Sequence, residues 1–186
     1  MNIFFLSINP VEAAQMQCNA HSIKMVTESA QMLSTVHRVL DGTLGTRLSK
    51  SGKRMKKHWY HPTLQDVLYD NVHEKHPSTV WTSESLSNYL WHYEHFIALC
   101  DEYTYRYGKI HACDTRFRNV FNTPPKNIPN IGFTPPRLAM ESEPECKALG
   151  DPVLAYRAFY QTKQKRFKMT WKNRERPDWF TVKETP

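Results

Sequence analysis

Apolar residues recur every three or four positions through Met16, Ile23, Val26, Ala30, Leu33 and Leu40, a spacing that predicts one long amphipathic helix from about Pro10 to Leu40. Asn9 can cap it, Pro10 suits its first turn, Glu12 stands where a capping carboxylate belongs, and Gly42 offers the stop. The other face of this helix reads His21, Lys24, Glu28, Gln31, Thr35 and Arg38. A second stripe runs through Leu86, Tyr89, Leu90, Tyr93, Phe96, Ile97, Cys100, Tyr103 and Tyr107. It predicts a second long helix, capped by Thr82 or Ser83, ended by Gly108 and packed on the first. Its aromatics read as core rather than as a base-stacking platform. Asp151-Pro152 opens a third helix by the same cap logic, continuing through Tyr156, Phe159 and Tyr160 to about Met169.

Between these helices the pattern weakens. Asn2 to Ile8 is short and β-prone, either a small strand or an extended lead whose apolar side chains anchor the N-terminus. Residues 43–61 mix Gly45, Ser49, Ser51 and Gly52 with cations and read as a flexible basic loop. Pro62 to Asn71 predicts a short helix, after which Pro77 breaks the chain. Residues 122–150 hold six prolines and predict an extended wrap across the helices, anchored by Ile128, Ile131, Phe133, Leu138 and Met140. The expected fold class is therefore all-α: a compact single domain over 1–186, with three main helices, a basic loop and a Pro-rich wrapping segment. No internal repeat is present.

Charge changes this picture more than composition does. The 186 residues are 40% hydrophobic and 12% aromatic, which is globular, and carry a net charge of +7. From Arg38 to His61 there are seven Lys/Arg against one acid, and from Arg157 to Arg176 eight against one, so the rest of the chain is net negative. Cations gathered in this way fit a polyanion partner, DNA, although two basic solvated segments would look the same. The candidate contacts are Arg38, Arg47, Lys50, Lys53, Arg54, Lys56 and Lys57. In the tail Trp171, Lys172, Arg174 and Arg176 could stack on bases and hold phosphates, or the tail aromatics Trp179 and Phe180 could cap the core.

Several chemistries are disfavoured. With 6 glycines and no G-x-G-x-x-G or G-x-x-x-x-G-K, a Gly-rich phosphate cradle is not expected. Cys18, Cys100, Cys113 and Cys146 form no C-x-x-C and read as reduced thiols of a cytoplasmic protein. MNIFFLSINP lacks a positive leader and cleavage signature, and no apolar run reaches membrane-spanning length, so a soluble intracellular protein without membrane contact is expected. His58/His61, His73/His76 and His92/His95 are H-x-x-H pairs with no convergent further ligands, so neither a metal nor another cofactor is expected. No local signature marks a Ser or Cys nucleophile, and Cys113 with His111 is left as a possible pair.

The stripe on the first helix remains. It is either a solvated face with a Lys24–Glu28 ion pair or the wall of an active site. The basic loop leaves the same helix and the N-terminus enters it, so a polyanion and an α-amine both come near.

At these residues the chain resembles the phage-type pyrimidine-dimer DNA glycosylase/AP lyase family, small all-helical enzymes. His21 and Glu28 stand two turns apart on the first helix. Gly52-Lys53-Arg54 precedes further basic residues and Pro62-Thr63, and Arg176-Pro177-Asp178-Trp179-Phe180 lies near the C-terminal end. Glu102-Tyr103 to Asp114 resembles the family's Glu-plus-Arg-Gly helix end. The resemblance implies that the chain's α-amine attacks the sugar C1′ and forms a Schiff base after base loss. It further implies that Glu28 stabilises the developing cation and moves protons, while the DNA bends and the nucleotide flips. The candidate catalytic set is Glu28, His21, Lys24 and Met1. The family exposes a small second residue, whereas asparagine is too large for usual Met removal; the amine then belongs to Met1, one residue displaced, with Lys24 the nearest substitute. An enzyme acting on modified nucleobases or nucleotides, or a non-catalytic nucleic-acid binder, fits the same residues.

Overall fold

The computed structural model describes residues 1–49 and 51–182. It is predominantly helical, with a small two-stranded sheet, so the chain is not all-α. The long first helix is two: α1 (Pro10–Gln15) and α2 (Asn19–Asp41). Asn9 caps α1 as expected, its Oδ1 accepting from Val11 N at 2.9 Å. Glu12 instead accepts the Ser7 hydroxyl at 2.7 Å, and that hydroxyl accepts the Asn9 amide. The break at 16–18 has no glycine or proline. Distant groups make it: Tyr160 OH accepts the Cys18 amide at 2.9 Å, Thr170 O accepts the Asn19 amide at 2.8 Å, and Trp171 Nε1 donates to Met16 O at 2.9 Å.

Residues 43–61 are an antiparallel hairpin rather than a flexible loop, β1 (Thr43–Leu48) and β2 (Met55–Tyr60), in the register Leu44↔Trp59, Thr46↔Lys57 and Leu48↔Met55. Alternation places these three pairs on one face and Gly45/His58 and Arg47/Lys56 on the other. Gly42 must lack a side chain, because a Cβ there would stand 2.3 Å from Arg38 O. The expected helix over Pro62 to Asn71 is a run of turns. Pro77 begins a helix, α3 (Pro77–Glu84), with His76 as its cap, and the next helix is capped by Ser85 rather than Thr82 or Ser83. That helix, α4 (Leu86–Tyr107), ends at Gly108 in the left-handed region, as its sequence requires. α5 (Ala112–Phe121) was not expected. Residues 122–150 are extended apart from α6 (Pro144–Lys147), and α7 (Pro152–Gln161) stops well short of Met169, passing into a 3-10 turn at Thr162–Lys165.

α2 and α4 form the centre. Met25, Val26, Ala30, Met32, Leu33 and Val36 of α2 share one buried core with Tyr89, Phe96, Leu99 and Cys100 of α4; each large side chain contributes roughly 1.5–3 kcal/mol. Polar bonds cross the same interface: His37 Nε2 lies 2.7 Å from Tyr89 OH and His92 Nε2 lies 3.2 Å from Ser29 Oγ. Ile23, expected in the apolar stripe, is exposed instead. The N-terminal segment is no strand but a buried, bent lead. Ile3, Phe4, Phe5 and Leu6 are enclosed, and Phe4 takes φ +48°. That conformation costs a bulky residue on the order of 1–3 kcal/mol. It is held by Asn2 Oδ1, which accepts the Phe4 amide at 2.9 Å. In the Pro-rich segment Met140 is buried and Ile131 is not, while Phe133 packs edge-on against Trp81. No helix among the described residues is long and apolar enough to cross a membrane.

Candidate functional site

The bend at Phe4 turns the N-terminus back onto the first third of α2. Glu28 is 8% exposed, and three nitrogen groups converge on its carboxylate. Asn2 N–H donates to Oε2 at 3.1 Å, the Met1 α-amine lies 3.6 Å from the same oxygen, and Lys24 Nζ reaches Oε1 at 2.9 Å. Asn2 is fixed at its other end by Nδ2 donating to Ala139 O at 2.9 Å. The segment is therefore clamped between α2 and the Pro-rich wrap.

His21, two turns before Glu28, is buried with its ring stacked on Phe4 at 4.7 Å and Nδ1 2.8 Å from Tyr160 OH. Burial, then Lys24 and Lys163, push its pKa down to about 4, so the imidazole is neutral at pH 7. Tyr160 OH already accepts the Cys18 amide, which favours its hydrogen pointing at Nδ1 and the imidazole proton residing on Nε2. His76, the α3 cap, faces the terminus as well; burial and then the α-amine lower its pKa.

These groups enclose a cavity of about 230 Å³ lined by Met1, Asn2, Phe4, His21, Lys24, Met25, Glu28, Ala139, Phe159, Lys163, Arg166 and Phe167. The four residues expected to carry chemistry, Glu28, His21, Lys24 and Met1, thus line one space. Among the lining residues missed were Phe4, Phe159, Lys163 and Arg166. The last two lie within the basic segment Arg157 to Arg176, the only sequence signal that pointed to them.

Further along the stripe the roles diverge. Gln31, three residues beyond Glu28, lines a groove of about 780 Å³ together with Arg47, Leu48, Lys56, Tyr69, Asp70 and Arg116. The hairpin therefore stands beside α2. Thr35 is buried and accepts the Val72 amide at 3.1 Å, which is a structural task. Arg38 corrects the expectation of a phosphate contact. It is 1% exposed, and its five guanidinium hydrogens are committed to Tyr69 O, Trp59 O, Gln65 Oε1, Gln65 O and Leu68 O at 2.7–3.1 Å. No donor is left for a ligand.

Of the other expected DNA contacts, Lys53, Arg54 and Lys57 are exposed on the hairpin, whereas Arg47 is ion-paired with Asp70 and Lys56 Nζ stands 3.9 Å from the same carboxylate. Lys50 lies outside the described residues. In the tail, Trp171 is turned inward to Met16 O and packs on Phe180, so it caps the core rather than offering a stacking face. Arg174 is half-buried and clamps Glu102, with Nη2 2.9 Å from Oε2, while Arg106 Nε meets Oε1 of the same residue at 2.6 Å. Lys172 and Arg176 are exposed. Arg176 lines a hollow of about 630 Å³ on the far side of α1, next to one of about 540 Å³ beside α4. Neither hollow contains an amine facing a buried carboxylate in the manner of Glu28.

All four cysteines are free and buried, and among the described residues no cluster of three or more His, Cys, Asp or Glu is placed to hold a metal ion. No family model, curated protein or solved structure matches the chain.

Proposed function

We propose that the chain is a DNA base-excision enzyme, an N-glycosylase with accompanying abasic-site lyase activity on a damaged or modified base. The observation that carries this reading is the convergence of the Met1 α-amine, the Asn2 amide and Lys24 Nζ on the buried Glu28 carboxylate, beside a neutral His21. Amine and carboxylate together are what base displacement at C1′ of a deoxyribose needs. The amine, in its neutral form, gives its lone pair to C1′ while the C1′–base bond breaks. The base leaves with the electron pair of the broken bond and is protonated. The nitrogen then loses a proton and the ring opens at O4′, leaving a C1′=N iminium. Glu28 opposes the positive charge that develops at C1′ and accepts or returns protons, including the C2′ proton whose removal expels the 3′ phosphate. Water finally releases the sugar and restores the amine. The Met1 side chain is 5% exposed against 63% for Lys24, so the terminal amine is the better enclosed of the two, which favours it over Lys24 as nucleophile. A cavity of about 230 Å³ admits a sugar and not a base pair, so the nucleotide has to leave the stack. The exposed cations Lys53, Arg54 and Lys57 lie on the hairpin that flanks the neighbouring groove and supply the duplex contact.

Incubation with abasic or lesion-bearing duplex in the presence of borohydride tests the reading. A covalent protein–DNA adduct that maps to the N-terminal peptide is expected. Absence of an adduct and of base release across a panel of lesions would sink it.

A further inference from the structure

The cavity beside Glu28 carries more positive charge than its carboxylate can balance. The Met1 α-amine, Lys24, Lys163 and Arg166 line it, against Glu28 alone. The first two are the groups that hold Glu28. Lys163 has no such partner. It is 8% exposed, yet among the described residues its ammonium meets neither a carboxylate within ion-pair distance nor a hydrogen-bond acceptor. Its contact is the face of Phe159, 3.4 Å from the ring centre. A ring face attracts a cation but does not neutralise it, so the ammonium stands here without a counter-charge. Arg166, three residues on, is exposed at the rim, and its guanidinium is likewise unpaired among the described residues.

We propose that Lys163 and Arg166 form a phosphate subsite of this cavity. In the reading above, on which this last step rests, it takes the phosphodiester next to the reacting sugar. A point-charge ammonium on the inner wall and a planar guanidinium at the rim suit a phosphate, which offers oxygens in several directions. The subsite also accounts for why Lys163 keeps its charge at some cost. Burial and then Arg166 lower its pKa to about 8, with Lys24 adding to this and Glu143 and Cys146 opposing. A bound phosphate would restore the proton's hold.

The test has three arms, on the full chain. In the first, thermal unfolding is followed in inorganic phosphate against chloride at matched ionic strength. Phosphate should raise the midpoint of the wild type and of Lys163→Arg, and leave Lys163→Met unmoved; comparing ligand-induced shifts cancels any change in the variant's own stability. The second measures binding of a duplex bearing a tetrahydrofuran abasic analogue, with either natural linkages or a neutral methylphosphonate beside the analogue. The wild type should lose roughly 10-fold or more on the neutral linkage, and Lys163→Met should lose as much on the natural duplex while ignoring the methylphosphonate. The third substitutes a nucleoside monophosphate for the duplex; a midpoint shift with it and no duplex binding would assign the subsite to free nucleotides. Equal phosphate shifts in wild type and Lys163→Met overturn the subsite. A borohydride adduct with that result leaves the glycosylase reading standing, whereas a Lys163-dependent phosphate shift without any adduct leaves only the subsite.

Discussion

Asn2 N–H and the Met1 α-amine reach the same oxygen, Glu28 Oε2, at 3.1 and 3.6 Å. The carboxylate thus faces two consecutive backbone nitrogens. An amine carried by Met1 already lies against Glu28, and one carried by Asn2 would lie there too. Retention or loss of Met1, read by intact mass, should therefore leave borohydride trapping within about 10-fold. One glycine added ahead of Met1 moves the amine by about 3.8 Å and should cut trapping by roughly 100-fold or more. Undiminished trapping in that extended chain would assign the nucleophile to a lysine instead.

Glu28→Gln keeps the shape and removes the charge. Trapping and base release should fall by about 100-fold or more, the size of a lost acid–base group, while affinity for an abasic-analogue duplex changes by less than about 3-fold. A duplex-binding protein with no measurable turnover, and binding indifferent to Glu28→Gln and His21→Ala, would instead identify a non-catalytic binder.

Arg38 and the hairpin cations should separate in measurement. Arg38→Ala takes a donor from five acceptors, of which Gln65 Oε1 keeps the His61 amide, and should cost about 3–5 kcal/mol in denaturant unfolding. Neutralising Lys53, Arg54 and Lys57 together should leave stability nearly unchanged and flatten the salt dependence of duplex binding by up to about 0.9 per lost phosphate contact. A salt slope that stays put would remove the hairpin from the interface.

Acid should unfold the protein. His21, His37 and His95 have pKa values pushed down to about 4 and His92 to about 3, each chiefly by burial. Because these folded values lie below the ordinary 6.5, the unfolded chain takes up protons first as pH falls. Their contribution is whole above about pH 6.5 and is lost between there and about pH 4, at roughly 1.4 kcal/mol per unit for each group. Melting midpoints recorded from pH 7.5 to 4.5 should fall steadily below pH 6.5. A flat profile would contradict the burial of these rings.

What could be read from the sequence was whatever local rules decide. The stripes of α2 and α4, the Asn9 and Asp151 caps and the stop at Gly108 follow from side-chain periodicity and backbone chemistry. The break before α2 was illegible because Tyr160, Thr170 and Trp171 impose it from the other end of the chain. The hairpin was hidden because glycine, serine and lysine are common to loops and to exposed ribbons, although Leu44, Thr46 and Leu48 do alternate. α3 and α5 are capped by His76 and His111, which are not among the usual capping residues. In the site, His21, Lys24 and Glu28 were readable because they share one helix face. Arg38 was misjudged because periodicity says which face a residue occupies, not what covers that face. Lys163 came from a segment whose helix ended earlier than expected.

The clamp on Asn2 has a consequence for the order of assembly. Asn2 bonds Ala139, and Phe4 packs on His21, Phe159 and Tyr160, contacts that span most of the chain. Contacts so distant in sequence close late, because the intervening chain has to be ordered before they stabilise anything. The α2–α4 pair can therefore consolidate while the cavity beside Glu28 is still open, and amide exchange should protect the Asn2 and Phe4 hydrogens last during refolding. The cavity beside Glu28 is complete only once the N-terminal segment has met residues 139–167.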